Sequence, residues 1–141
     1  MKLLTIDYLE EVDFFVLAIN SHIKGYKLCW ELNKKLNLNF IKNKYHKLEE
    51  KTQLEFSRFT TKNTDLELQY DLISNYSKKG YLLPKHKNID YFLKIQNPFW
   101  EKEKKDFIEK MQQIPEILLI FEFDLNRINS LTPFIFNDKK D

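Results

Sequence analysis

Apolar and polar residues follow two different periods along this chain, and the points where the period changes divide it into elements. Phe14 to Ile19 is an unbroken apolar run that ends at Asn20-Ser21, the pattern of a strand covered on both faces and placed at the centre of a sheet. An acidic lead-in, Asp7, Glu10, Glu11 and Asp13, precedes it. From about Lys24 to Leu36 the period lengthens: at about 100° per residue Leu28, Cys29, Leu32 and Leu36 share one stripe, with Lys27, Glu31 and Lys34 opposite, which predicts an amphipathic helix. Tyr26 and Trp30 fall on its flank, about 120° from the centre of the stripe.

Three strand-like segments follow, roughly 39–48, 53–61 and 65–76, separated by polar stretches at 49–52 and 62–65; this predicts an antiparallel meander. In the third, Leu66, Leu68, Tyr70 and Leu72 alternate with Glu67, Gln69 and Asp71, which implies that one sheet face is wet. After the break at Ser77 to Gly80 comes a strand at about 89–95. Asn97 then reads as a helix cap with Pro98 as the first helical residue, opening a helix with Trp100, Phe107, Ile108, Met111 and Ile114 on one face and an end before Pro115. A last strand, about 116–124, sets Leu119, Phe121 and Phe123 against Ile120, Glu122 and Asp124. A short apolar element, Pro133 to Phe136, precedes a charged tail, expected to fray from about residue 137. The order β-α-β-β-β-β-α-β predicts an α+β fold, with an antiparallel or mixed sheet of about five to six strands and two helices packed on one face, an enlarged split β-α-β arrangement. No linker or internal repeat divides it, so residues 1–141 form one domain.

Composition sharpens the exclusions. A chain of 141 residues with 12 Phe, 7 Tyr and 2 Trp has ample material for one core. Basic and acidic residues number 23 and 21, so the net charge supplies no global field for a polyanion or an anionic membrane. Arg58 and Arg127 are the only arginines; the other basic residues are lysines, point charges rather than the planar forks that read guanine, and a DNA sequence reader is not expected. Gly25 and Gly80 are the only glycines, which rules out phosphate-cradling and dinucleotide loops, since both need several glycines close together. The apolar stretch Leu3 to Ile6 is too short for a signal peptide, no run reaches membrane-span length, and a single cysteine, Cys29, suits a reducing compartment. A cytoplasmic location is expected.

The stretch Leu83-Pro84-Lys85-His86-Lys87-Asn88-Ile89-Asp90-Tyr91 resembles the signature of the bacterial IPExxxVDY family. Leu83 stands at the aliphatic start, Pro84 at the proline, Ile89 at the valine and Asp90-Tyr91 at the closing pair. Lys85 departs from it, standing where the signature has glutamate. The likeness extends along most of the chain. It implies a small cytoplasmic protein and brings no activity or cofactor with it.

The chemistry-bearing residues are scattered. Glu122 and Asp124 lie about 7 Å apart on one strand face, which ordinary alternation explains without an acid and base pair. His22, His46 and His86 have no second ligand at a metal-binding spacing, and Cys29 sits on an apolar stripe where a small hydrophobe belongs; no catalytic residue, metal or cofactor is expected. Asn20, Ser21, His22 and Gly25 form the turn into the first helix, where backbone amides could hold a small ligand or where Asn and Ser simply cap the helix. Lys42, Lys44 and His46 alternate on one strand, and Lys78, Lys79, Lys85 and Lys87 cluster near the signature. Partner-binding candidates are Tyr26, Trp30, Leu83, Pro84, Asp90, Tyr91, Phe99 and Trp100, because exposed Trp and Tyr are what binding hot spots use. The leading expectation is a non-enzymatic interaction module that binds a protein partner or a second copy of itself. The alternatives are an RNA- or ribosome-associated accessory protein using the lysine clusters, and a small-ligand regulatory domain.

Overall fold

The structure, a computed structural model, describes residues 14–48 and 54–136. The acidic lead-in, the short apolar stretch at Leu3 to Ile6, the connector at 49–52 and the charged tail lie outside the described residues.

Strands β1 (Phe15–Ser21), β2 (Ile41–Lys42), β5 (Arg58–Asn63), β6 (Leu68–Ser74), β9 (Tyr91–Gln96) and β10 (Ile117–Glu122) form a six-stranded sheet in the order β10-β1-β9-β6-β5-β2. Every neighbouring pair is antiparallel. Two-residue pairings decorate it: β3 (His46–Lys47) with β4 (Glu55–Phe56), and β7 (Tyr76–Ser77) with β8 (Gly80–Tyr81). Helix α1 (Gly25–Leu36) follows β1, and α2 (Trp100–Gln112) joins β9 to β10. The chain order within the large sheet is therefore β-α-β-β-β-β-α-β, an α+β fold with both helices on one face, as the periodicities imply. The meander is real, since β2, β5 and β6 are spatial neighbours.

The helix-covered core joins Leu28, Cys29 and Leu32 of α1 and Trp100, Phe107 and Met111 of α2 to Leu17, Ile19, Leu72, Leu93 and Ile95 of the sheet. These sheet residues are two apart along each strand, the periodicity that puts them on one side.

The opposite sheet face departs from the expectation of a wet surface. Val16, Ala18, Ile73 and Phe92 are covered there by Leu82, Leu83 and Ile89 from the β8–β9 connection and by Phe123, Leu131 and Phe134 from the segment after β10. Asp71, although polar and in alternation, is fully buried. Alternation reports which side of a strand a residue occupies, whereas distant segments decide whether that side meets water. Asp71 tolerates burial because its carboxylate accepts from Arg58 Nε (3.0 Å), Thr60 Oγ1 (2.6 Å) and Gln69 Nε2 (2.9 Å).

Other boundaries shift for local reasons. β1 lies one strand in from an edge, and β9 and β6 hold the centre. The stretch 39–48 is broken into two short strands. Leu66 belongs to a 3₁₀ turn and is exposed. Asn97 does not cap α2 directly: its Oδ1 accepts from Phe99 N (2.8 Å) in a turn that spends Pro98 and Phe99 before the helix starts at Trp100. In β10 Ile117 and Ile120 are both buried on the helix-covered face because the register slips opposite Asn20 and Ser21, while Leu119 and Phe121 lie exposed on the other face, of whose residues only the following Phe123 is covered.

Candidate functional site

Two sequence-distant candidates, the β1–α1 turn and the signature segment, meet in space. Asp90 Oδ2 accepts from Ser21 N (2.9 Å), Tyr91 donates from its hydroxyl to Ile23 O (2.7 Å), and the Asn20 side-chain amide donates to Asn88 O. Burial raises the Tyr91 phenol to about 12, with the neighbouring Asp90 carboxylate adding to it, so the hydroxyl stays a donor. Gly25 is demanded by packing, since a Cβ there would stand 2.8 Å from Phe59 Cε1. The polar atoms of Asn20, Ser21, Asp90 and Tyr91 are thus committed to joining the two segments. His22 is exposed beside them.

The organiser of the signature segment is Asn75, which the sequence reading does not single out. Its side chain donates to His86 O (2.9 Å) and Ile89 O (2.8 Å) and accepts from Leu83 N (2.8 Å), while its backbone exchanges bonds with Asp90 and Leu82. The only hint in sequence is its place at the end of an apolar strand just before a turn-rich stretch. This cage explains the segment's shape: Leu83 and Ile89 are buried, and Pro84 starts an exposed 3₁₀ turn. His86 packs edge-on against Phe123, and partial burial together with Arg127 and Lys85 lowers its pKa.

The aromatic candidates separate into two groups. Trp100 is buried, packed edge-on against Phe107 and beside Phe15, so it is a core residue and no surface anchor; the helix begins at Trp100 and aligns it with Phe107 and Met111. Its indole N–H is enclosed without a hydrogen-bond partner. Leu83 and Tyr91 are likewise buried. Tyr26 and Trp30, by contrast, lie one turn apart on the outer side of α1, each 59% exposed, with Lys34 Nζ 3.8 Å from the Trp30 ring centre. Phe99 is half exposed at the start of α2.

The lysines do not form one face. His46 is buried, its Nε2 within 2.8 Å of Pro133 O, and so is parted from exposed Lys42 and Lys44. Lys78, Lys79, Lys85 and Lys87 are exposed, and Lys87 Nζ lies 5.4 Å from the Tyr81 ring. Glu122 pairs with Lys104 (3.3 Å), and Asp124 caps the turn after β10, so these carboxylates have separate structural partners. The hydrogen bonds that Lys104 donates to Glu101 and Glu122 raise its ammonium above its ordinary range.

A cavity of about 250 Å³ opens at the start of β1, lined by Phe14, Phe15, Leu17, Trp100, Glu122 and Asp124 among others. Among the described residues no group of three His, Cys, Asp or Glu side chains is placed to hold a metal ion, and no helix is long and apolar enough to cross a membrane. Comparison with family models and with curated proteins finds no match to this chain.

Proposed function

We propose that the protein is a small cytoplasmic, non-enzymatic interaction module that docks a protein partner through the outer face of α1. One observation carries this reading: two large aromatic rings, Tyr26 and Trp30, stand side by side in solvent on a helix whose other side is core. Holding such rings in water costs about 25 cal/mol per Å² of apolar surface, a cost that a partner groove recovers. The mixed-charge surroundings, Glu31 and Lys34 with Lys27, form a polar rim of the usual kind. The buried, lone Cys29 suits a reducing compartment, and the resemblance of Leu83 to Tyr91 to the IPExxxVDY signature is compatible with this setting.

The test compares proteins recovered from a native lysate by the wild-type chain and by Tyr26→Ala/Trp30→Ala, with circular dichroism as the control for folding. A recurring partner lost with the double variant supports the reading. Equal recovery by both chains overturns it.

A second reading, an RNA-associated accessory role, is favoured by three pairings of a lysine with an aromatic ring: Lys34 with exposed Trp30, Lys42 with exposed Tyr45 (4.6 Å) and Lys87 with half-buried Tyr81. Aromatic platforms beside lysines are what single strands stack upon. Retention on RNA that falls steeply with salt supports this role, and a flat or absent response removes it.

A further inference from the structure

The two edges of the sheet are unlike. At one, β2 is two residues long and ends in a lysine. At the other, β10 runs six residues, Ile-Leu-Leu-Ile-Phe-Glu, without lysine, proline or glycine. Short edges and edge lysines are usual protections against strand addition; β10 has neither, and its irregularity at Leu118 and its charge at Glu122 lie toward its two ends. Among the described residues no strand pairs with its outer side. Leu118, Leu119 and Phe121 are 58%, 54% and 36% exposed.

The ladder shows which backbone groups are open. Phe123 N donates to Val16 O (2.8 Å), and Phe121 and Leu119 stand opposite Ala18 and Asn20. Antiparallel pairs alternate between bonded and non-bonded residues, so Leu119, Phe121 and Phe123 direct their amides and carbonyls to β1. Those of Ile120 and Glu122 face the open edge, with Leu118 at the register slip.

We infer that β10 is the interface of a two-fold homodimer in which it pairs antiparallel with β10 of a second copy, centred on Ile120. The self-complementarity of the strand selects this occupant. With Ile120 opposite its own counterpart, Leu119 of one copy meets Phe121 of the other, so both exposed side chains are covered. Glu122, the only charge in the strand, meets Leu118 and stands away from the other Glu122. Cross-strand apolar pairs of this kind are what stabilise a ladder. Because β2 is too short to add a third copy, the association closes at two. This surface is separate from the α1 face and goes beyond the proposed docking function: Trp30→Ala leaves the dimer intact.

The experiment is sedimentation velocity and light scattering on the full chain across a dilution series. The wild type is expected to be a dimer that dissociates on dilution. Leu119→Lys/Phe121→Lys, which sets like charges opposite each other at exposed positions, is expected to be a folded monomer. Leu119→Lys/Phe121→Glu, which sets opposite charges against each other in this register, is expected to restore the dimer. A wild type that is monomeric at millimolar concentration, or a dimer untouched by the double lysine variant, overturns the inference. Amide exchange of the wild type gives a check free of any variant: Ile120 and Glu122 amides are expected to slow as concentration rises, and concentration-independent exchange overturns the inference equally.

Discussion

Asn75 shows how one polar side chain holds a segment in place. Its amide bonds two carbonyls and one backbone N–H of the turn between β8 and β9, of which His86 O also accepts from Ile89 N. With a net worth of about 1 kcal/mol per hydrogen bond and a further cost for orphaned buried groups, Asn75→Ala is expected to lower unfolding stability by about 3 kcal/mol in urea titration, with a loosened signature segment visible in amide exchange. Asp71 is the second such residue. It is fully buried with three donors upon it, and Asp71→Ala is expected to cost about 3–5 kcal/mol because it leaves the buried Arg58 guanidinium without this carboxylate. A double-mutant cycle with Arg58→Leu is expected to give a combined loss smaller than the sum of the single losses. Additive losses would show that the pair does not interact energetically.

At the scale of elements, α1 was legible because its period is long and clean, and Cys29 belongs to its buried stripe. Burial pushes the thiol from 9.0 to about 12 and the Tyr91 phenol from 10.0 to about 12. Both groups are neutral when protonated, and a pKa higher in the folded state than in the unfolded one means that the fold holds the proton more tightly. Their contribution is therefore complete below pH 9 and is lost as pH rises toward 12. The thermal midpoint is expected to be insensitive to these two groups up to pH 9 and to fall above it, with Cys29→Ala removing the part of the fall that begins first. The same burial predicts that a thiol reagent labels Cys29 only under unfolding conditions. Labelling of the native chain as fast as of the unfolded chain would contradict that burial. The sequence pattern runs β2 together with β3, and β4 together with β5, because two-residue strands have no period of their own.

For the whole molecule, the decisive feature is that the sheet is covered on both faces, by helices on one and by the β8–β9 connection and the segment after β10 on the other. Among the described residues, the large apolar side chains in solvent include Tyr26 and Trp30 on the outer side of α1, Leu118, Leu119 and Phe121 at the β10 edge, and Ile41 and Tyr45 at the β2 end of the sheet. Of the partner candidates, Tyr26, Trp30, Pro84 and Phe99 stand on the surface, Asp90 is half-buried, and Trp100, Leu83 and Tyr91 are buried.

The sequence by itself determined the elements that span a full period, their chain order and the α+β class, because local hydrophobic spacing is set by the 3.6 and 2.0 residue repeats of helix and strand. It also excluded glycine-rich phosphate sites. Only the tertiary structure decided which faces are dry, since that depends on segments far apart in the chain. Asp71, in the alternation that implies a wet face, is enclosed with Arg58, Thr60 and Gln69, with Phe136 over the Arg58 guanidinium, and Leu119 and Phe121 stand exposed because β10 is an edge. The meeting of Ser21 with Asp90, and of Ile23 with Tyr91, was invisible for the same reason: long-range hydrogen bonds leave no periodic trace in the residues that make them.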